Sequence, residues 1–347
     1  MNIKTKTEAS YRAIPMDSSS SLKDFSMDRK KYYRKYVLCE TVEETDTKAS
    51  VVGRIVETLL LEPELFEQRF YMSTCATSPT GRMLDFVEAL YKHTAEATVD
   101  GVVTREMDDL MRDAYADSGF KIKFDSVVSK FIGSDAEIYY KELREVKSKG
   151  LTVITSEDVN NAEKIVEELR NNMVTAEIVN LVNSARYEIF NQFQIEGYVL
   201  DGRTFKSMFD KMVVDHDKQT VQVYDLKCVW AVEGFYEEYY LYRRAYIQAY
   251  LYWKATEVFA NTLNGEFKAE YPKFIVCDST NYYNPLIYTL DAHDMADAYE
   301  GFEHKGRKYP GVKTLIEELN WAVANDVWNI SMQNYLTNGV VNIKGGN

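Results

Sequence analysis

The sequence predicts an α/β protein in which a central mixed sheet is flanked by helices and interrupted by a helical insertion. Three kinds of pattern support this class. The first is a set of β-type segments, at 185–202, 208–214, 220–226, 272–281 and 285–291. The second is a long helical pattern at 237–261 and a helical tail at 291–335. The third is a block of helical segments without a chemical motif at 80–180. We therefore expect one domain over 1–347 with residues 80–180 inserted into it.

Two helices are predicted before the insertion. The serines at 18–20 can cap a helix that carries Leu22 and Phe25. Further on, apolar residues recur at helical spacing up to Pro63, where that helix should end. The stripe comprises Val52, Ile55, Val56, Leu59 and Leu60. Glu57 lies one position off this stripe, near its edge.

A hairpin between residues 205 and 227 is the most informative part of the chain. Two apolar β-type runs flank a polar turn at 215–218; the first carries Asp210 and the second ends in Asp225, Leu226 and Lys227. Because side chains alternate along a strand, Asp225 and Lys227 share one face and Leu226 points to the other. Two carboxylates beside a lysine can hold a divalent metal next to a cation, which is an arrangement able to cleave a phosphodiester.

Composition limits the class of protein. With 347 residues, 46% of them hydrophobic, the chain can bury one large core or two modest ones. It contains no apolar run of about 18 residues, so we expect no membrane span. The N-terminus lacks the apolar region of a signal peptide, so we expect a cytoplasmic protein, in the host cytoplasm if it is phage-encoded. The four cysteines form no CxxC pair, which favours reduced structural thiols.

The net charge of −13 argues against a protein that simply coats nucleic acid, because phosphate binding requires local positive potential. It does not argue against a nuclease, which concentrates acids around metals and places basic residues along the DNA path. Local basic clusters are present at 29–35 and at Arg243–Arg244, and either could instead be a solvated helix face. The chain has no glycine-rich phosphate loop, so use of ATP is not predicted.

The order of these segments resembles the PD-(D/E)XK nuclease superfamily, and within it the phage and RecB-like exonucleases similar to exonuclease VIII and the lambda exonuclease. Four parts carry the resemblance. They are SSSLKDFSMDRKKYYRKY at 19–36, GRIVETLLLEPELF at 53–66, Asp210 with Asp225-Leu226-Lys227, and RRAYIQAYLYW at 243–253. The second part looks like the family segment G-x-x-[V/I]-H-x-L-x-L-E-P-E-x-F, and the last contains a QxxxY motif. The resemblance covers most of the chain outside the insertion and implies a restriction-endonuclease-like core.

The resemblance also implies a metal site. Asp210, Asp225 and the Leu226 carbonyl would hold one or two Mg²⁺ or Mn²⁺ ions. Glu57 stands where family members often have a metal-binding histidine, and a carboxylate suits these hard cations equally well. Glu188 resembles a family acid upstream of the catalytic aspartate and is a further candidate ligand.

Residues around this metal site would act on the substrate. Lys227 would orient or deprotonate the attacking water, or stabilise charge in the transition state. Arg244, Gln248 and Tyr252 recur every four residues and would share one helix face. On that face Gln248 could bond a phosphate or the metal-bound water, and Tyr252 could position a DNA strand. Arg244 could bind phosphate through its guanidinium.

The leading hypothesis is therefore a metal-dependent DNA exonuclease that resects duplex ends for recombination. Family resemblance implies a homo-oligomeric ring around DNA and a single-strand annealing protein as partner. Two alternatives remain open: an endonuclease for branched or damaged DNA with the same chemistry, and a catalytically silent DNA-binding or assembly subunit that keeps the nuclease fold.

Overall fold

The structure is a computed structural model that describes residues 6–40, 47–75, 77–280 and 284–341. Its helices, in chain order, are α1 (Glu8–Arg12), α2 (Ser19–Met27), α3 (Arg29–Tyr32), α4 (Lys48–Leu61), α5 (Phe66–Arg69), α6 (Gly81–Glu96), α7 (Met107–Ser118), α8 (Phe124–Phe131), α9 (Asp135–Val146), α10 (Ser156–Asn171), α11 (Ala176–Val179), α12 (Ala245–Ala260), α13 (Ala292–Glu300), α14 (Val312–Asn325) and α15 (Met332–Leu336). Two π-helical segments are Tyr33–Val37 and Tyr236–Tyr242. Within the described ranges, every helix is too short or too polar to cross a bilayer.

The strands are β1 (Phe70–Met72), β2 (Thr98–Val99), β3 (Val102–Val103), β4 (Thr152–Ile154), β5 (Tyr187–Leu200), β6 (Arg203–Asp215), β7 (Thr220–Val229), β8 (Lys268–Ala269), β9 (Lys273–Asp278), β10 (Leu286–Tyr288), β11 (Gly301–His304) and β12 (Arg307–Pro310). The main sheet has the order β10-β9-β7-β6-β5, with β8 beside β7. The neighbours β5–β6, β6–β7 and β9–β10 are antiparallel, whereas β7–β9 is parallel. The predicted α/β class with a mixed sheet is confirmed.

The chain divides into two compact units. The first comprises Met1–Thr45, Leu169–Asp278 and Tyr283–Asn347, and the second comprises Asp46–Glu168 with Ser279–Tyr282. The second unit contains much of the predicted insertion, but it begins well before residue 80 and takes in α4. Each unit has its own apolar core, so both bury enough surface to be compact.

In the first unit, helix α12 lies on the main sheet and is apolar almost all round. It packs on β6 and β7, with α2 and α13 beside it. A helix buried on most sides needs apolar or small residues on every face, and α12 supplies them, for example Ile247, Ala249 and Leu251. The polar side chains that this helix does bury, among them Gln248, must therefore have hydrogen-bond partners.

The structure corrects two helical predictions. The region 237–261 is not one helix, because the backbone at Arg244 is left-handed (φ 57°) and α12 begins only after it. The tail 291–335 contains the hairpin β11–β12 between α13 and α14. Gly306 sits in the turn of that hairpin with φ 76°, a conformation that glycine adopts without strain.

Candidate functional site

The hairpin of β6 and β7 forms as predicted and aligns the two aspartates. Lys211 faces Tyr224 in the last pair of the antiparallel ladder, and Asp210 and Asp225 are the next residues beyond that pair on the two strands. The Leu226 amide donates to Asp210 Oδ2 at 2.7 Å, which ties this carboxylate to the backbone of β7. Because the N–H and C=O of a strand residue face the same neighbouring strand, the Leu226 carbonyl lies on the Asp210 side.

Asp225 is the most buried ionisable group of the hairpin, with 1% of its surface exposed. Its Oδ1 accepts a 2.6 Å hydrogen bond from Gln248 Nε2. Its Oδ2 forms an ion pair with Lys227 Nζ, but accepts no directed hydrogen bond from any residue in the described ranges. The Lys227 side chain retains 26% of its exposure and is partly open to solvent, whereas the carboxylate of Asp225 is buried.

Gln248 and Tyr252 form one polar chain on α12. They are one turn apart, and Gln248 Nε2 donates to the Tyr252 hydroxyl at 3.0 Å. That hydroxyl donates to the Met208 carbonyl of β6 at 2.6 Å. Burial, followed by the charges of Asp225 and Asp210, holds the pKa of Tyr252 well above its usual value. Tyr252 is therefore a neutral donor that fixes Gln248 beside Asp225.

Lys23 of α2 also reaches this group and was not predicted. Its ammonium donates to Gln248 Oε1 at 3.2 Å, across 225 residues of sequence. The sequence contains little indication of this contact, because a lysine between the apolar Leu22 and Phe25 is typical of the edge of a buried helix face. Only the packing of α2 against α12 shows where its side chain ends.

Arg244 lies outside α12. It precedes the helix in a left-handed conformation, so only Gln248 and Tyr252 of the predicted stripe are helical residues. The side chain is half-buried, and its Nη1 has no acceptor among the described residues. Burial is the main cause that lowers the pKa of Arg244, and the nearby Arg307 adds to it. A left-handed arginine with an unsatisfied nitrogen is a strained feature that suits an anionic ligand.

The structure does not bring Glu188 to the two aspartates. Glu188 faces Val214 near the turn end of the sheet, and His216 Nε2 lies 3.7 Å from its carboxylate. Val214 is four positions from Asp210, which corresponds to about 13 Å along a strand. Glu57 lies half-buried on α4 in the second compact unit, and its role as a ligand stays a prediction.

The site can supply oxygen ligands, although no group of three or more His, Cys, Asp or Glu residues suited to a metal occurs among the described residues. Its donors are the carboxylates of Asp210 and Asp225 and the carbonyl of Leu226. Oxygen donors of this kind fit Mg²⁺, which keeps several waters and takes one or two protein carboxylates. The buried Asp225 Oδ2, without a directed hydrogen bond, agrees with that fit.

Comparisons with known proteins add little to this geometry. No family model matches the sequence, and no curated protein matches it. Among solved structures, the chain is similar to the crystal structure of a protein named "Putative exonuclease" from Eubacterium rectale. The two share 13% sequence identity with a TM-score of 0.46, over 86% of this chain and 81% of that chain. A structural similarity this low does not support a conclusion about function.

Proposed function

We propose that the protein is a Mg²⁺-dependent deoxyribonuclease of the PD-(D/E)XK type, acting as an exonuclease on duplex DNA ends. The observation that carries the proposal is the meeting of Asp210, Asp225 and Lys227 on adjacent strands, with Asp225 buried against both Lys227 and Gln248. A purely structural hairpin has no need of two neighbouring carboxylates turned toward its covered face, because burying a charge is costly.

The metal would be held by Asp210, Asp225 and the Leu226 carbonyl, with water completing its shell. When bound there, Mg²⁺ or Mn²⁺ would lower the pKa of an attacking water and offset charge on the phosphate. Gln248 keeps the Asp225 carboxylate in place through Oδ1, which leaves Oδ2 on the side of Lys227. Fixing a ligand by a neighbouring hydrogen bond is how outer-shell residues tune metal sites.

Lys227 supplies the cation on the solvent side of the site. Its ammonium can donate to the attacking water or to a phosphate oxygen, because its side chain is partly exposed beside a buried carboxylate. Positioned donors of this kind stabilise charge that develops in the transition state. Arg244 is the proposed contact for a further phosphate, since its half-buried guanidinium has an unsatisfied nitrogen.

The biological setting that we propose is the resection of duplex ends for recombination, in a homo-oligomeric ring beside a single-strand annealing protein. This part rests on the resemblance of the sequence motifs alone. Gel filtration with light scattering tests the ring, and a monomer at micromolar concentration would contradict it.

The central test is cleavage of end-labelled linear duplex DNA with Mg²⁺, Mn²⁺ or a chelator. We expect Lys227→Met and Asp225→Asn each to lower the rate at least about 10²-fold, the effect of losing one group that stabilises charge. The matched controls are Lys218→Met and Asp217→Asn in the exposed turn of the same hairpin. Full activity of Lys227→Met would contradict the mechanism.

The substrate decides between the alternatives. An exonuclease leaves closed circular DNA intact while it degrades the linear form, whereas an endonuclease cuts branched or circular DNA. Failure of the wild type to cleave any DNA with either metal would favour a silent binding or assembly subunit. Labels at the 5′ and 3′ ends give the polarity in the same experiment.

A further inference from the structure

Helix α2 directs one lysine toward the buried face of the sheet. The helix begins with a capping box in which Ser18 and Ser21 bond each other's backbone amides. Leu22 and Phe25 are fully buried in the core of the first unit, and they fix the rotation of the helix about its axis. Lys23 follows Leu22 by about 100° of that rotation, so its stem runs along the edge of the packed face.

The end of this side chain joins the polar chain of the site. Lys23 Nζ donates to Gln248 Oε1, and Gln248 Nε2 donates to Asp225 Oδ1, so a single amide separates the ammonium from the buried carboxylate. Lysine can donate three hydrogen bonds. Within the described part of the chain, the Gln248 oxygen is the one acceptor that Lys23 Nζ contacts.

Lys23 also has no carboxylate of its own among the described residues. The adjacent Asp24 pairs with Lys31 at 2.8 Å, and Asp225 pairs with Lys227. Burial, then the positive charge of Lys227, lowers the pKa of Lys23 to about 8, while Asp225 and Asp24 raise it. The amine therefore stays mostly protonated at neutral pH, as a half-buried cation near a second cation. A buried charge normally has a counter-charge, and among the described residues Lys23 forms no ion pair.

We propose that Lys23 is a second substrate-contacting lysine of the site and donates to a non-bridging oxygen of the DNA phosphate that Lys227 also engages. The inference rests on the proposed nuclease function. It assigns the N-terminal helix α2 a direct part in the reaction, in addition to its part in packing. The phosphate would supply the counter-charge that Lys23 lacks.

A purely structural lysine would behave differently. Among the described residues, the hydrogen bond that Lys23 donates goes to Gln248, and a neutral amide at position 23 can also donate this bond. The phosphate contact instead requires a positive charge. Lys23→Arg keeps the charge, Lys23→Gln keeps only a donor, and Lys23→Met keeps only the apolar stem. Lys218→Met, in the exposed turn between β6 and β7, removes the same charge away from the site.

The experiment measures kcat and KM of the full chain on linear duplex DNA with Mg²⁺, and the melting temperature of each variant. We expect kcat of Lys23→Met and Lys23→Gln to fall about 10²-fold, with Lys23→Arg recovering most of the loss and Lys218→Met unchanged. Equal kcat for Lys23→Met and Lys218→Met overturns the inference. So does a Lys23→Gln variant as active as Lys23→Arg.

A second measurement separates this inference from the nuclease proposal. If the wild type cleaves no DNA with Mg²⁺ or Mn²⁺, the proposed function fails, and DNA affinity of the metal-free protein then decides the phosphate contact. Fluorescence anisotropy in a chelator should show weaker binding by Lys23→Met than by Lys218→Met, because only the first lysine would touch phosphate. Equal DNA affinities of the two variants would show that Lys23 does not contact phosphate.

Discussion

The ion pair of Lys227 and Asp225 makes a specific prediction about stability. Replacing Lys227 by Met removes the cation and keeps most of the stem. The Asp225 carboxylate, 1% exposed, then keeps the Gln248 amide but loses its counter-charge. Breaking a fully buried pair costs about 3–5 kcal/mol. Because 26% of the Lys227 side chain is exposed, water can partly take the place of the lost ammonium beside Asp225. For this reason we expect the free energy of unfolding to fall by about 2 kcal/mol.

The reverse substitution should cost less. Asp225→Asn keeps the shape and an oxygen that can accept from Gln248, and the released Lys227 can be hydrated at its exposed end. We expect a loss of about 1 kcal/mol. In the double variant (Lys227→Met with Asp225→Asn) no charge remains uncompensated, so we expect it to lose about 1.5 kcal/mol of stability. The two single losses would sum to about 3 kcal/mol, so the coupling energy between the residues should be about 1.5 kcal/mol.

Urea unfolding followed by tryptophan fluorescence is the assay. All four tryptophans (Trp230, Trp253, Trp321 and Trp328) lie in the first compact unit, so the signal reports on the unit that contains the pair. A shift in midpoint without a change in slope measures the stability difference. The reasoning is refuted if the two single losses simply add, because the residues would then not interact.

Three further predictions follow from other contacts. Tyr252→Phe should cost about 1–2 kcal/mol, because the half-buried Met208 carbonyl of β6 loses its donor, and urea unfolding checks this. Gly311→Ala should reduce soluble expression and the melting temperature, since a Cβ there would lie 2.1 Å from the Tyr299 carbonyl oxygen; an unchanged melting temperature would contradict the contact. The Arg186 guanidinium holds the pKa of Asp215 below its usual value. Asp215→Asn should therefore destabilise the protein at pH 7 by about 2 kcal/mol and progressively less as the pH falls below about 4, whereas a pH-independent loss would exclude that linkage.

Local patterns predicted the hairpin well, and physical reasons explain why. The alternation of apolar and polar residues along β6 and β7 fixes which side chains face α12, and the polar turn fixes the register. With that register, Asp210 and Asp225 lie one residue beyond the last pair of the ladder, on adjacent strands. The prediction did not require knowledge of any distant contact.

Other parts of the site depend on contacts that no local pattern encodes. The bond between Lys23 and Gln248 joins residues 225 positions apart. The left-handed break at Arg244 occurs without a glycine or proline, so the helical period continues through it in the sequence. The hairpin β11–β12 carried a turn signal at Gly306, but the helical pattern on both sides obscured it.

Strand β6 is what holds the two helices of the site at a fixed distance. The Tyr252 hydroxyl of α12 bonds the Met208 carbonyl of β6, and the carboxylate of Asp17, just before α2, pairs with Arg203 at the start of the same strand. The Lys206 amide of β6 also donates to the Asp17 carbonyl at 2.8 Å.

Directed hydrogen bonds of this kind fix position along a strand, which apolar packing alone leaves free to slide. Helices α2 and α12 are therefore both positioned from the strand that carries Asp210. For this reason Lys23, Gln248 and the two aspartates should keep their mutual geometry.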